Sequence, residues 1–245
     1  MYADTIDKFA KIAESKLDFL RRSPGAFFVA SMLAGAYVGL GIILIFTLGA
    51  EVPTNLRKLV MGTTFGIALT LVLIAGAELF TGHTMFMALR RYRGTGTLSD
   101  IGSSWVMTWV GNLAGALVLV ALFDMAGGGG LLGSPDGLVM KTAAAKMNAT
   151  ATTLFARAVL CNWLVCLAIW MAARVDSDIA KCAVIFWCLL AFIASGFEHS
   201  VANMTLLGMA LAGKHPETVS ISGAVWNLTW VTLGNIVGGA VFVGG

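Results

Sequence analysis

The sequence has few charged residues for its length. Asp, Glu, Lys and Arg make up 12% of its 245 residues, whereas soluble domains carry about 25%. Apolar residues make up 58% and the mean hydropathy is +0.86. Several apolar runs approach about 20 residues, the length of helix that crosses a bilayer. These values exclude an ordinary soluble domain and make the lipid bilayer the first partner that the sequence implies.

The sequence also lacks a large excess of either sign of charge, since its net charge is only +3. The Lys and Arg residues lie between the apolar runs and form no basic patch, so we predict no nucleic-acid binding. The four cysteines lack CxxC spacing, which argues against a zinc or thiol-redox site and favours buried apolar packing. We therefore predict no metal and no cofactor. The cysteines are Cys161, Cys166, Cys182 and Cys188.

Proline is rare as well, and all four prolines lie outside the apolar runs. Pro24 directly precedes the first run, where the missing N–H of proline does no harm to a helix. A helix that is interrupted inside the bilayer must therefore be broken by glycine and polar residues. Six runs could cross the membrane at 1.5 Å per residue, and their approximate limits are 26–49, 58–77, 103–124, 154–173, 179–196 and 220–243.

The chain divides into two parts. Residues 1–25 carry many charges and an apolar residue at every third or fourth position, among them Ile6, Phe9 and Leu17. This spacing predicts an amphipathic helix that lies on the membrane surface or on a neighbouring subunit. Residues 26–245 form the predicted six-helix transmembrane domain. Ten Lys and Arg residues flank one side of the runs and six flank the other, so we predict that both termini are cytoplasmic.

The two halves of the domain resemble each other, approximately over 26–125 and 150–245. The segment from Trp105 to Asn112 is echoed by the segment from Trp226 to Asn235, and Glu78 precedes Glu198 by 120 positions. Each half holds three runs, so the halves must be inverted relative to each other. Matching interruptions follow the second and fifth runs, at 77–84 and 195–203. Inverted repeats with broken helices are typical of transport proteins.

The ionisable residues in these interruptions are the main functional candidates. His199 could bind an anion when protonated or give it a proton. The alternative is a neutral histidine that a backbone carbonyl satisfies at the helix break. We expect Glu78 and Glu198 to accept N–H groups of the broken helix ends. We expect His83 to lie at the interface. Lys146 is either a surface residue or a cation that concentrates anions.

Several motifs together resemble those of the formate/nitrite transporter family, and within it the nitrite channel branch. They occur in order from the first run to the last. They are 34–41 (AGAYVGLG), 77–84 (AELFTGHT), 111–112 (GN), 161–168 (CNWLVCLA), 196–204 (GFEHSVANM) and 230–235 (WVTLGN).

This resemblance implies an aquaporin-like all-α fold that assembles as a homopentamer with one path in each protomer. It implies that His199 faces the path near Thr81, that Asn162 and Asn203 lie close to it, and that Lys146 lies at the outer mouth. It also implies hydrophobic constrictions on either side of the histidine, formed by Phe65, Leu69, Leu79 and Phe192.

We therefore predict a channel, not an enzyme, that passes nitrite or a similar small monovalent anion across the cytoplasmic membrane of a bacterium. Our preferred mechanism is that His199 gives the anion a proton. Formate and hydrosulfide are the alternatives within the family. A water or glycerol channel would need Asn-Pro-Ala turns, which the sequence lacks. A membrane haem enzyme would need facing histidine pairs, and a purely structural subunit would leave Glu198 and His199 unexplained.

Overall fold

The chain folds into helices throughout, which confirms the all-α prediction. The computed structural model describes residues 2–245, so Met1, where the predicted segment 1–25 begins, lies outside the described residues. No strand occurs within 2–245. The helices are α1 Ala3–Arg22, α2 Pro24–Glu51, α3 Thr54–Thr64, α4 Gly66–Thr70, a π-helical segment Leu71–Gly76, α5 Phe80–Tyr92, α6 Leu98–Met125, a 3₁₀ turn Gly128–Gly130, α7 Leu138–Met147, α8 Ala151–Ala172, α9 Asp178–Ser195, α10 Ser200–Ala212 and α11 Ile221–Ala240.

Five helices are long and apolar enough to cross a membrane by length and composition. They are α2, the continuous stretch Thr54–Gly76, α6, α8 and α9. Helix α11 is not among them, although it has 20 residues, and it includes the polar side chains of Asn227 and Asn235. Six spans in two inverted repeats therefore remain a prediction, while the long apolar helices mark an integral membrane protein.

Both halves contain a pair of helices in close backbone contact. Helix α2 packs along α6, and helix α8 packs along α11. A Cβ atom added at Gly115 would collide with the backbone carbonyl of Met32, and one added at Gly238 would collide with that of Val159. The small residue at each crossing lets the two backbones approach.

Each half also contains a broken helix. The first break follows Gly76 (φ 85°) and the second follows Gly196 (φ 73°), and positive φ favours glycine because it has no Cβ. The chain is non-helical over residues 77–79 and 197–199 before α5 and α10 begin. Each of these helices has 13 residues and covers about 20 Å, too short to cross a hydrocarbon layer of about 30 Å.

The N-terminal helix α1 packs against its own chain. Phe9 is 1% exposed, and its ring lies 5.5 Å from that of Phe86 and 5.4 Å from that of Trp170. Lys8 Nζ donates a hydrogen bond to the Ala173 carbonyl at 2.8 Å. The apolar face of the predicted amphipathic helix is thus buried within the same chain. That arrangement differs from the expected contact with the membrane surface or a neighbouring subunit.

Candidate functional site

The N-termini of the two half-helices meet at the centre of the protein. Thr81 lies in the first turn of α5, and His199 is the residue that caps the N-terminus of α10. The Thr81 Oγ1 and His199 Nε2 atoms are 3.0 Å apart, and both side chains are buried. Each helix N-terminus carries a partial positive charge of about half an elementary charge. The Thr81–His199 pair therefore lies where two positive helix ends converge.

The hydrogen bonds of His199 define which ring nitrogen carries the proton. Nδ1 accepts a hydrogen bond from the backbone N–H of Ala202 at 3.1 Å. A nitrogen that accepts a hydrogen bond has no hydrogen of its own, so the neutral ring is protonated at Nε2. Nε2–H then points to the Thr81 hydroxyl oxygen, and the hydroxyl keeps its own hydrogen to donate elsewhere. The pair can thus offer hydrogen-bond donors to a negatively charged guest.

Two asparagines in equivalent positions hold the two breaks. Asn112 Oδ1 accepts from Phe80 N at 2.9 Å, and its Nδ2 donates to the carbonyls of Ser31 and Glu78. Asn235 makes the same three bonds in the second half.

In the second half, Asn235 Oδ1 accepts from Ser200 N at 2.8 Å, while Nδ2 donates to the carbonyls of Ala158 and Glu198. Each asparagine thus ties the first N–H of a half-helix to the carbonyl of the glutamate in the middle of the break. The sequence comparison pairs Asn112 with Asn235 but gives neither a role, so their function in the breaks was missed.

We expected Glu78 and Glu198 to accept the N–H groups of the broken helix ends. That prediction is wrong, because Asn112 and Asn235 accept them. Glu78 Oε2 instead lies 2.5 Å from Lys16 Nζ and 2.6 Å from His83 Nε2. Glu198 Oε2 lies 2.7 Å from Lys146 Nζ and accepts a hydrogen bond from Asn203 Nδ2 at 2.7 Å. Each buried carboxylate is balanced by one lysine, as a charge in a low-dielectric region requires.

His83 is not the interfacial residue that the sequence suggests. Its side chain is 1% exposed, and its Nδ1 lies 2.7 Å from Ser104 Oγ while Nε2 faces Glu78. The position was misjudged because α5 lies inside the protein over most of its length, with a continuous run of buried residues from Phe80 to Arg90. A half-helix enclosed by its neighbours has no interfacial side, and a sequence pattern cannot show that enclosure.

Asn162 and Asn203 lie behind the central pair. Asn162 Nδ2 donates to the Thr81 carbonyl at 3.2 Å and to the Asn235 carbonyl at 2.7 Å. Asn203 Nδ2 bonds Glu198 and, at 2.8 Å, Asn227 Oδ1. Both side chains thus connect the backbone or carboxylate of one half to a neighbouring helix.

A small apolar cavity adjoins the ring of His199. Its walls include the four expected constriction residues, and its volume of about 10 Å³ is close to the least that holds one water molecule. Leu79 also borders a larger cavity of about 700 Å³ between α1 and the first break, which we call the α1 vestibule. Leu79 therefore separates the two spaces. The small cavity is lined by Val38, Phe65, Ala68, Leu69, Leu79, Val165, Leu189, Phe192 and His199.

Polar atoms near the centre include two hydroxyls without a partner. Ser200 Oγ and Thr205 Oγ1, both on α10, make no hydrogen bond in the part of the chain that the structure describes. Sequence reasoning did not identify either hydroxyl as a candidate, and the one feature that could have indicated Ser200 is that it directly follows His199. Within 2–245, no group of three or more His, Cys, Asp or Glu side chains could hold a metal ion.

The fold and the site together define an integral membrane protein with two half-helices that point their N-termini at a buried polar centre. The family model for "Formate/nitrite transporter" matches residues 3–245. The chain is 54% identical to the nitrite transporter NirC of Salmonella typhimurium, over 100% of this chain and 90% of that protein. The chain belongs to the formate/nitrite transporter family.

Two solved structures share the fold. A structure described as an FNT family ion channel superimposes with a TM-score of 0.96 at 52% identity, and covers 99% of this chain and 96% of its own. A pentameric formate channel with formate bound superimposes with a TM-score of 0.78 at 30% identity, over 91% of this chain and 96% of its own. These relatives are transporters and channels, and the chain is accordingly not an enzyme.

Proposed function

We propose that the protein is a channel for nitrite in the cytoplasmic membrane of a bacterium, with both termini in the cytoplasm. The observation that carries this proposal is the Thr81–His199 pair, 3.0 Å apart, which joins two positive helix ends beside a narrow apolar cavity. In this account an anion leaves water at the apolar walls and exchanges its hydration for the donors of Thr81 and His199.

The electrostatics of the centre favour an anion. Moving a charged group out of water is very costly without compensation. The N-termini of α5 and α10 offer fixed positive partial charges at the place where hydration is lost. Lys146 balances the carboxylate of Glu198, the residue before His199. Without that balance the carboxylate would repel an anion at the histidine, so we assign this role to Lys146. The attraction of anions to an outer mouth, which the family resemblance implies for Lys146, stays a prediction, because its charge is paired with that of Glu198.

The choice of nitrite rests on the relatives. Identity is 54% to a nitrite transporter over the whole chain and 30% to the formate channel of known structure. Formate has a similar size and the same charge, so we expect it to pass more slowly rather than to be excluded. Nothing in the apolar lining of the small cavity favours one of these anions over the other.

We propose that the anion replaces the Thr81 oxygen as the acceptor of His199 Nε2–H, so that the neutral ring and the Thr81 hydroxyl both donate to it. Donation of a proton, the preferred mechanism from the sequence, needs a ring that carries hydrogens on both nitrogens. A hydrogen on Nδ1 would face the N–H of Ala202 at 3.1 Å, so the first turn of α10 would lose that hydrogen bond. Proton donation is therefore the alternative that an experiment must separate from binding.

We further propose a homopentamer in which each protomer has its own path, as in the pentameric formate channel with which the chain shares its fold. Large apolar side chains are exposed on the outer faces of several helices, for example Val106 at 65%, Trp187 at 65% and Val225 at 60%. Such faces need lipid or neighbouring subunits to cover them. Asn162 and Asn203 do not belong to the subunit contacts. We propose that their hydrogen bonds to the Thr81 carbonyl and to Glu198 hold the polar residues of the path in position.

The test is nitrite and formate flux into liposomes for two variants that differ in one property. His199→Leu removes the donor, and we expect nitrite flux to fall about 10- to 100-fold, the effect of losing one hydrogen bond to a charged group. His199→Gln keeps an N–H donor but cannot transfer a proton. We expect it to retain part of the flux, with the same pH dependence as wild type from about pH 6 to pH 8, because a neutral His199 does not titrate in this range.

The matched control is His215→Gln, which changes an exposed loop histidine and should leave flux unchanged. If the Gln variant is as inactive as the Leu variant, His199 works by proton donation. If both variants move nitrite at the wild-type rate at every pH, the path does not pass His199 and the proposal is wrong. Formate flux above nitrite flux would overturn the assignment of the substrate.

A further inference from the structure

Glu78 and Glu198 occupy equivalent positions in the internal repeat, and each lies in a cluster of polar side chains. The two clusters differ in the residue that follows the glutamate by five positions. Glu78 is followed five residues later by His83, and Glu198 is followed five residues later by Asn203. Each of these side chains bonds the preceding carboxylate, at 2.6 Å and 2.7 Å. The first cluster thus holds an ionisable ring where the second holds an amide that cannot change its charge.

We propose that His83, held between Glu78 and Ser104, is a proton-binding site directly behind the wall of the α1 vestibule. Glu78 and Lys16 belong to that wall, and proton uptake at His83 makes it more attractive to anions. The effect on flux rests on the proposed conduction of anions. The binding of a proton at His83 does not depend on it, so the two claims can fail separately.

The partners of His83 suit both charge states of the ring. Nε2 faces a carboxylate oxygen, which accepts a hydrogen in either state. Nδ1 faces the Ser104 hydroxyl at 2.7 Å, which can donate to a neutral ring and, after a rotation, accept from a protonated one. The ring can therefore gain a proton without moving a heavy atom. His199 lacks this freedom, because its Nδ1 faces a backbone N–H that can only donate.

The groups around His83 include two charges in contact with it. Glu78 from the first break bonds the ring, and Lys16 from α1 bonds the same carboxylate oxygen. Helix α2 contributes the ring of Phe27 and α5 the ring of Phe86, and α6 contributes Ser104.

More distant ionisable groups are held elsewhere. One turn before Ser104 on α6, Asp100 is paired with Arg21 and Arg90. Helix α8 contributes the Cys166 thiol, which lies on the other side of α5 against the Thr81 carbonyl, and α11 carries no charged residue. The charge of the cluster is therefore decided by Lys16, Glu78 and His83.

Proton uptake would change the charge that the vestibule presents. Lys16 and Glu78 both line this cavity of about 700 Å³ and cancel each other while His83 is neutral. With His83 protonated, one carboxylate faces two cations and the cluster carries a net positive charge. Leu79, the gate to the cavity at His199, directly follows Glu78. Because anions accumulate near positive charge, we expect acidification to raise anion supply to the gate.

The test compares wild type with His83→Asn, which copies the residue of the second half and keeps a donor for Glu78. Nitrite flux is measured in liposomes with equal pH on both sides, from about pH 8 to pH 5.5, and the leak of protein-free liposomes is subtracted. We expect equal flux at the alkaline end. At the acidic end we expect wild type to exceed the variant by about three- to tenfold, the scale of electrostatic attraction by a nearby charge.

The control is His215→Asn, which changes the exposed histidine and should keep the wild-type pH profile. A His83→Asn profile that matches wild type at every pH overturns the proposal. Nitrogen NMR of the labelled histidine rings gives a second readout that needs no transport, with the signals assigned from His199→Gln and His215→Asn, so that the remaining signal is that of His83. We expect the His83 ring to convert from neutral to protonated over this range and the His199 ring to stay neutral. A His83 ring that stays neutral throughout overturns the proposal, even if His83→Asn does not assemble.

Discussion

The two broken helices share their construction but differ in their chemistry. In both halves a glycine with positive φ ends the helix, a glutamate pairs with a lysine, and an asparagine holds the break. The residue that follows the glutamate is Leu79 in the first half and His199 in the second. One half thus supplies an apolar wall of the small cavity and the other a hydrogen-bond donor. The two breaks share their backbone construction, while single residues within them set the chemistry on which the proposed path depends.

The largest effect should come from the shared asparagines. Asn112→Leu and Asn235→Leu each leave one backbone N–H and the carbonyl of the glutamate in the break buried without a partner, while the carbonyls of Ser31 and Ala158 keep their bonds inside α2 and α8. We expect each variant to lose on the order of 2–6 kcal/mol, at about 1–3 kcal/mol for each of the two groups. Thermal disassembly followed by size-exclusion chromatography measures the loss. Asn148→Ala, at an exposed asparagine with two hydrogen bonds, is the control and should lose less than about 1 kcal/mol.

A large loss of stability at one asparagine and none at the other would contradict the equivalence of the two broken helices. It would mean that the two halves fold by different rules and that the matched hydrogen bonds are not equivalent in energy. Equal losses would show that the repeat is preserved in energetics as well as in geometry.

A smaller and unequal effect should come from the two lysines. Lys146→Met leaves Glu198, whose side chain is 2% exposed, with Asn203 as its remaining side-chain partner, and we expect a loss of about 3–5 kcal/mol. Lys16→Met leaves Glu78, at 12% exposure, in contact with His83, so we expect about 1 kcal/mol.

A double-mutant cycle separates the ion pair from the packing of the lysine stem. Adding Glu198→Gln to Lys146→Met should restore most of the stability, because the buried charge is removed together with its partner. If Lys16→Met proves as harmful as Lys146→Met, the two clusters are equally buried in solution and the proposed difference between the halves is wrong.

The sequence predicted the parts of this site that depend on local chemistry. Low charge and long apolar runs predict membrane helices. The interruptions predicted at 77–84 and 195–203 contain the residues that the structure has in a non-helical conformation, 77–79 and 197–199. The adjacent Glu198 and His199 are conspicuous because charged residues are rare within apolar runs.

The parts that the sequence did not predict depend on which helices enclose a residue. The sequence pattern suggests that His83 lies at the membrane interface, but α1, α2 and α6 cover it in the structure. Glu78 pairs with Lys16, a residue 62 positions away, and a local sequence pattern cannot predict a contact between residues so far apart in the chain. The N-terminal helix has the amphipathic pattern of a surface helix, and the pattern is the same whether lipid or protein covers its apolar face.

The most direct test of the central claim is a double-mutant cycle of nitrite flux at Thr81 and His199. Thr81→Val and His199→Leu each remove one member of the pair that the account places on the path. Because the two side chains lie 3.0 Å apart and are proposed to bind one anion together, the double variant should lose no more flux than the worse single variant. Losses that multiply would show that the two residues act independently, which would contradict a single anion site between the half-helices.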